Sequence, residues 1–151
     1  MKEAKFTVFG EPRGKGRPRF SKRKTKEGKS FITVRSTDDT VVYENLIRVE
    51  FERQCGGVYF QKDTPLAMEV TAYYKIPSSA SRKKAALMVA GKLRPLKKVD
   101  STNLLKAVED ALNSVAYHDD VQFVDTRITR YYGMVPRVEV VIRELWSEEN
   151  E

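Results

Sequence analysis

Apolar residues recur along this chain with two different periods, and the switches between them predict the order of elements. Leu66, Met68, Val70, Ala72, Tyr74 and Ile76 alternate with Ala67, Glu69, Thr71, Tyr73 and Lys75. That period of two predicts a strand with one buried face. A shorter strand around Phe6 and Val8 ends at Gly10-Glu11-Pro12, where proline removes a backbone donor, and Phe31-Ile32-Thr33-Val34 reads as another. Residues 122–132 and 137–145 form the last two strands, with Val138, Val140 and Ile142 on one side and residues 133–136 as the hairpin between them.

Helical spacing appears three times. Thr37 before Asp38 and Asp39 is a cap followed by acids at the positive end of a helix dipole. The helix runs to about Arg53, with Val42, Leu46 and Val49 as its apolar stripe, Ile47 alongside, and Gly56-Gly57 as its stop. Residues 79–89 read as a basic amphipathic helix closed by Gly91, and Pro95 opens a loop toward Asp100. Leu104, Leu105, Val108, Ala111 and Leu112 then define a helix from about residues 100–102 to Asn113. Helices interspersed with antiparallel strands predict an α+β fold, a mixed, largely antiparallel sheet with helices packed on one face. The expected organisation is one domain over residues 1–146 and an acidic, disordered tail over 147–151.

Charge narrows the choice of partner. Lys and Arg number 28 against 21 Asp and Glu, a net charge of +7 that suits a phosphate backbone. Nine of those cations fall between Arg13 and Lys29, mixed with glycines and Pro18, so the segment is expected to be a mobile loop. Within it Arg13, Lys15, Arg17 and Arg19 are the candidate DNA contacts; such contacts supply affinity rather than sequence readout. The only cysteine, Cys55, leaves no intramolecular disulfide and no thiolate zinc cluster, which fits a reducing cytoplasm. No apolar run is long enough for a signal peptide or a membrane span, so neither export nor a membrane partner is expected.

Chemistry concentrates at one place. Asp100 precedes the third helix, and Asp119-Asp120 lie in the turn that enters the strand after it. Brought together, these carboxylates would offer hard oxygen ligands to Mg²⁺ and support phosphodiester hydrolysis by metal-activated water. Each also has a plain structural reading, Asp100 as a helix cap and Asp119-Asp120 as an Asp-rich turn. Lys106 sits on the polar side of the helix, where it could stabilise a developing phosphate charge, or simply pair with Asp110 four residues on. His118, the only histidine, reads as a turn residue; Tyr131, Tyr132 and Trp146 read as packing rather than base-stacking platforms.

Several segments together resemble the RusA family of Holliday-junction resolvases, small endonucleases often encoded by bacteria and their prophages. The stretch from Phe9 to Arg19 is similar to the family's basic N-terminal signature. The stretch from Lys98 to Asn113 resembles its Asp-x-Asp-Asn helix, and Tyr117-His118-Asp119-Asp120 its Asp-Asp turn. The resemblance implies a homodimeric endodeoxyribonuclease that binds four-way junction DNA and makes paired nicks in recombination and repair. It implies Mg²⁺, with Mn²⁺ as a substitute, and no small-molecule cofactor. By it Asp100, Lys106 and Asp120 are the catalytic residues, and Asp100 and Asp120 the metal ligands. One position departs from the pattern: Thr102 stands where the family has a second aspartate, and a neutral hydroxyl supplies no charge to a metal. Asp119 and Glu109 are the acids that could compensate, with Glu109 expected on a different helix face from Thr102. The alternative is therefore a four-way-junction binder whose catalytic site is impaired. A basic structural or RNA-associated protein would explain the charge but not the aspartates.

Overall fold

The fold was taken from a computed structural model, which describes residues 1–14, 19–24, 26–35, 38–96 and 100–148, with side chains described outside 19–24, 31–35 and 38. In chain order the elements are β1 (Glu3–Phe9), β2 (Arg19–Lys24), β3 (Ser30–Arg35), α1 (Asp38–Cys55), β4 (Leu66–Lys75), α2 (Arg82–Val89), α3 (Ser101–Leu112), β5 (Phe123–Gly133) and β6 (Arg137–Glu144), with one 3₁₀ turn, Asp120–Gln122, before β5. β2 and β3 form a two-stranded antiparallel ribbon, while the other strands form one sheet in the order β1-β6-β4-β5. Only β4 and β5 run parallel within it. A parallel pair needs a crossover, and α2 and α3 supply it. The expected α+β architecture with a mixed, largely antiparallel sheet is present.

Alternation decides which face is covered. Ala4, Phe6 and Val8 of β1, Val138, Val140 and Ile142 of β6, and Leu66, Met68, Val70, Ala72 and Tyr74 of β4 are all buried. They meet Leu104, Ala107, Val108, Ala111 and Leu112 from α3 and Tyr43, Ile47 and Phe51 from α1. The opposite face carries charged pairs, Glu69 of β4 to Arg143 of β6 at 3.1 Å and, along β6 itself, Arg137 to Glu139 at 3.4 Å. Among the described residues no helix is long and apolar enough to cross a membrane.

Three sequence expectations change. First, α1 buries a different stripe: Tyr43, Ile47, Phe51 and Cys55, spaced four apart, face the core, while Val42 is 67% and Val49 58% exposed. The aromatic rings offer more area to the sheet than the valines do, and Phe51 meets Phe6 edge to face at 5.6 Å. The end of α1 also seals the β1 edge. Gln54 accepts from the Thr7 amide at 2.9 Å and donates to its carbonyl at 2.7 Å, and the Cys55 thiol donates to the Lys5 carbonyl.

Second, β5 and β6 do not form a hairpin, because β4 lies between them and pairs with both. The short link after Gly133 steps over the end of β4, where a Cβ on Gly133 would lie 3.1 Å from the Tyr73 Cβ. Third, residues 19–24 of the expected loop are strand, in register with β3 from Arg19↔Arg35 to Lys24↔Ser30. The expected cap Thr37, the loop residues 97–99 and the tail residues 149–151 lie outside the described residues.

Candidate active site on α3 and the turn before β5

The helix α3 begins where Asp100 turns its side chain onto the backbone: Oδ1 accepts from the Asn103 amide at 2.8 Å. Asp100 is thus the cap, and its second oxygen stays exposed. From there the apolar stripe locks α3 against the sheet, leaving Thr102, Asn103 and Lys106 exposed on the outer side and Glu109 and Asp110 half-buried.

The turn that follows is positioned by two buried side chains. Tyr117, wholly buried, donates its hydroxyl to the Glu109 carbonyl at 2.5 Å, while the Phe60 amide donates to the Ala116 carbonyl at 2.8 Å. Gln122, 9% exposed, accepts with Oε1 from the His118 and Asp119 amides, both at 3.0 Å. Its Nε2 donates to the carbonyls of Gln61 at 2.9 Å and Thr64 at 3.1 Å. Asp119 completes the turn by accepting from the Val121 amide at 3.3 Å. Gln122 carried no sequence signal, because a glutamine at the start of a strand is ordinary until the loop around Gln61 is folded against it.

This scaffold sets Asp120 beside α3. The Lys106 ammonium lies 3.5 Å from Asp110 Oδ1 and 3.7 Å from Asp120 Oδ2, so one cation bridges a helix carboxylate and a turn carboxylate. The negative charge of Asp110 foremost, then of Asp120, raises the Lys106 pKa. Burial first, then the hydrogen bond with Asp119, raises that of Asp120, with Lys106 acting the other way. Asp119, held by the Val121 amide and by Asp120, is lowered. Glu109 is raised by burial and then by Asp120. The expectation that Glu109 lies away from Thr102 fails on helix geometry, since seven residues make nearly two full turns and return to the same face.

Of the sequence candidates, then, Lys106 and Asp120 are brought together, and Asp110 and Glu109 join them. Asp100 caps the helix: its side chain accepts from the Asn103 amide, and it stands about 9 Å along the helix axis from Lys106 at 1.5 Å per residue. Among the described residues no three His, Cys, Asp or Glu side chains converge as a ready metal cage. The donor set still fits a hard cation, because Mg²⁺ typically takes one or two carboxylates and fills its remaining positions with water and phosphate. Of the basic loop, Arg13 is exposed, Lys15 and Arg17 lie outside the described residues, and Arg19 is in β2 without a described side chain.

Other cations are easier to place. Arg82, Lys83, Lys84 and Lys92 on and after α2 are described and have no ion-pair partner among the described residues, and α2 buries no residue. Tyr131 is unsuited to base stacking: Tyr73 stacks on it at 5.7 Å and the Arg94 guanidinium sits 3.8 Å from its ring centre. Arg137 lies 3.8 Å from the Tyr73 ring. His118 stays exposed in its turn.

A carboxylate-flanked lysine on a helix, a carboxylate turn beside it and exposed cations on α2 are groups of the kind found in proteins that act on phosphodiesters. Comparison with known families makes that specific: residues 10–143 match the family described as Endodeoxyribonuclease RusA. The chain belongs to that family, whose members are endodeoxyribonucleases that bind DNA junctions and depend on a divalent metal. It is also 36% identical over 143 residues to a Bacillus subtilis (strain 168) protein described as Uncharacterized protein YqaN, covering 93% of this chain and 96% of that one.

Proposed function

We propose that this protein is a Mg²⁺-dependent, structure-selective endodeoxyribonuclease that resolves Holliday junctions by paired nicks, acting as a cytoplasmic homodimer in DNA recombination and repair. The observation that carries the reading is the Lys106 ammonium set between Asp110 and Asp120 on a rigidly held turn. Asp120, with Asp100 reaching from the start of α3 through its free oxygen, would hold the ion. Bound there, a divalent ion would act as a Lewis acid on the phosphate and would lower the pKa of a bound water below that of bulk water, with Mn²⁺ as a substitute. The chain's own part is to place charge. Lys106 neutralises negative charge that builds on the phosphate oxygens, and the Gln122-held turn keeps Asp120 from drifting. Arg13, Lys15, Arg17 and Arg19 would grip the backbone of the junction arms.

Thr102 supports a second reading. It is exposed on the same helix face as Lys106 and Glu109 and offers only a hydroxyl, so the metal has one carboxylate fewer and the protein would bind junctions while cutting them poorly. Nicking of a synthetic four-way junction in Mg²⁺, Mn²⁺ and EDTA separates the two. The unaltered chain should cut in Mg²⁺, Asp120→Asn should bind without cutting, and cutting by Thr102→Asp alone would establish the impaired binder. Absence of junction binding by every form would refute both readings.

A further inference from the structure

Between β4 and α3 the chain changes character. Residues 75–98 hold eight Lys and Arg and no Asp or Glu, and the segment leads straight into Asp100. Its helix, α2, buries nothing, and Arg82, Lys83, Lys84 and Lys92 are exposed. After α2 the segment is tied to β5 in both directions: Arg94 Nε donates to the Arg130 carbonyl at 2.6 Å, and Arg130 Nη2 donates to the Pro95 carbonyl at 3.1 Å. The Arg94 guanidinium lies 3.8 Å from the centre of the Tyr131 ring, which in turn stacks on Tyr73. Arg94 is exposed all the same. An arginine ordered in this way has lost its rotamer freedom before any ligand arrives, and its planar fork matches paired phosphate oxygens. Acids of the neighbouring strands are engaged elsewhere: Glu11 accepts from the Lys75 amide at 3.2 Å, Glu69 pairs with Arg143, and Glu139 with Arg137.

We infer that this crossover, with Arg94 as its fixed point and the cations of α2 around it, is a second DNA contact that holds the backbone of a duplex junction arm away from the cut. The inference rests on the endonuclease reading above and adds to it a surface separate from the basic segment between Arg13 and Arg19, and a distance. Arg94 is bonded to Arg130, seven residues along β5 from Phe123, and the Asp120 turn leads directly into Phe123. An extended strand advances ~3.3 Å per residue, so the two ends of this stretch lie roughly 23 Å apart. At ~3.4 Å per base pair that is about seven base pairs of duplex. The end of β5 that carries Arg94 therefore meets phosphates beyond the reach of Lys106. A fluid anionic membrane presents no fixed phosphate spacing, whereas a duplex does, and a guanidinium locked in place suits the duplex.

The test uses the full chain on a synthetic four-way junction in EDTA, reading affinity, its dependence on salt, and phosphate ethylation interference. With the unaltered chain, ethylation about seven base pairs from the cut should weaken binding. Arg94→Gln should keep the native circular dichroism, bind about tenfold more weakly, and lose that distant interference while keeping interference at the cut. Its slope of log affinity against log salt should fall by about 0.9. Arg94→Lys should restore the slope, since a cation is back, but not the affinity, because an ammonium neither stacks on Tyr131 nor presents a fork. Lys83→Glu with Lys92→Glu, both on exposed side chains, carries the same test if Arg94→Gln loses the native fold. Affinity, slope and interference pattern unchanged in these variants would overturn the inference and leave the endonuclease reading standing. Loss of binding to anionic vesicles in the same variants, with junction binding intact, would overturn it too and assign the crossover to a lipid surface. If the unaltered chain binds no junction, the endonuclease reading itself falls, and this inference with it.

Discussion

Gln122→Ala should cost more than any other single polar change near the site, because one carboxamide ties together the turn and the loop it leans on. Four hydrogen bonds are lost: two from the His118 and Asp119 amides, and two to the carbonyls of Gln61 and Thr64. At roughly 1 kcal/mol net apiece the sum is about 4 kcal/mol. His118 is exposed, so water can replace part of what its amide loses, which brings the expectation to about 2–4 kcal/mol, a large share of the ~5–15 kcal/mol that holds a domain together. Catalysis should suffer separately. The 3.7 Å approach of Asp120 to Lys106 depends on the turn, and a displacement of ~1 Å can cost on the order of a hundredfold in rate. Gln122→Glu keeps the two acceptor bonds but sets a carboxylate against two carbonyl oxygens, so it should fail as well. Urea unfolding gives the stability term; single-turnover nicking beside junction affinity gives the other, with the rate falling and the affinity unchanged. A midpoint shift worth less than about 1 kcal/mol, or nicking at the native rate, would show that the turn does not depend on this residue.

Lys106→Met should abolish most nicking while leaving junction binding and thermal stability nearly unchanged, since the lysine is half exposed and its ion pairs contribute little to folding; loss of stability instead would make it a structural residue. Glu109→Gln should stabilise the metal-free protein at neutral pH. The raised Glu109 pKa means that the folded state holds its proton more tightly than the unfolded chain; its contribution is present below the ordinary glutamate range and lost as pH rises through the folded value. The variant's advantage should therefore shrink on acidification to about pH 4, and urea midpoints that differ equally at both pH values would contradict the linkage. Replacing Arg82, Lys83 and Lys84 together by Gln should lower the slope of log affinity against log salt by up to about 0.9 per cation without altering the fold, because these side chains are exposed and α2 buries nothing. An unchanged slope would remove α2 from the DNA surface.

Much of this protein was legible locally. The strand β4 followed from strict alternation of its apolar residues, and α3 from an apolar stripe opened by a capping aspartate. The family could be read from the Asp100 helix and the Asp119-Asp120 turn, and residues 10–143 match it. Those features depend on neighbours within a few residues, and sequence carries such information directly. What failed was every choice between equivalent local options. On α1 two apolar stripes competed, and only the position of Phe6 across the interface selected the aromatic one. Two strands joined by a short link could have paired with each other, but β4, bringing buried side chains from far upstream, displaced β5 from β6.

The site divides in the same way. Residue types and spacing sufficed to nominate Asp100, Lys106 and Asp120, because carboxylates and a lysine at that spacing are a chemical statement. Which of them meet was decided by tertiary structure alone: Tyr117 and Gln122 pin the turn so that Asp120 reaches Lys106, while Asp110 and Glu109 enter from the helix and Asp100 remains at its cap. A side chain's partners across 14 residues of chain, from Lys106 to Asp120, depend on how the intervening segment is packed, and that packing is set by core residues whose own identity says nothing of catalysis.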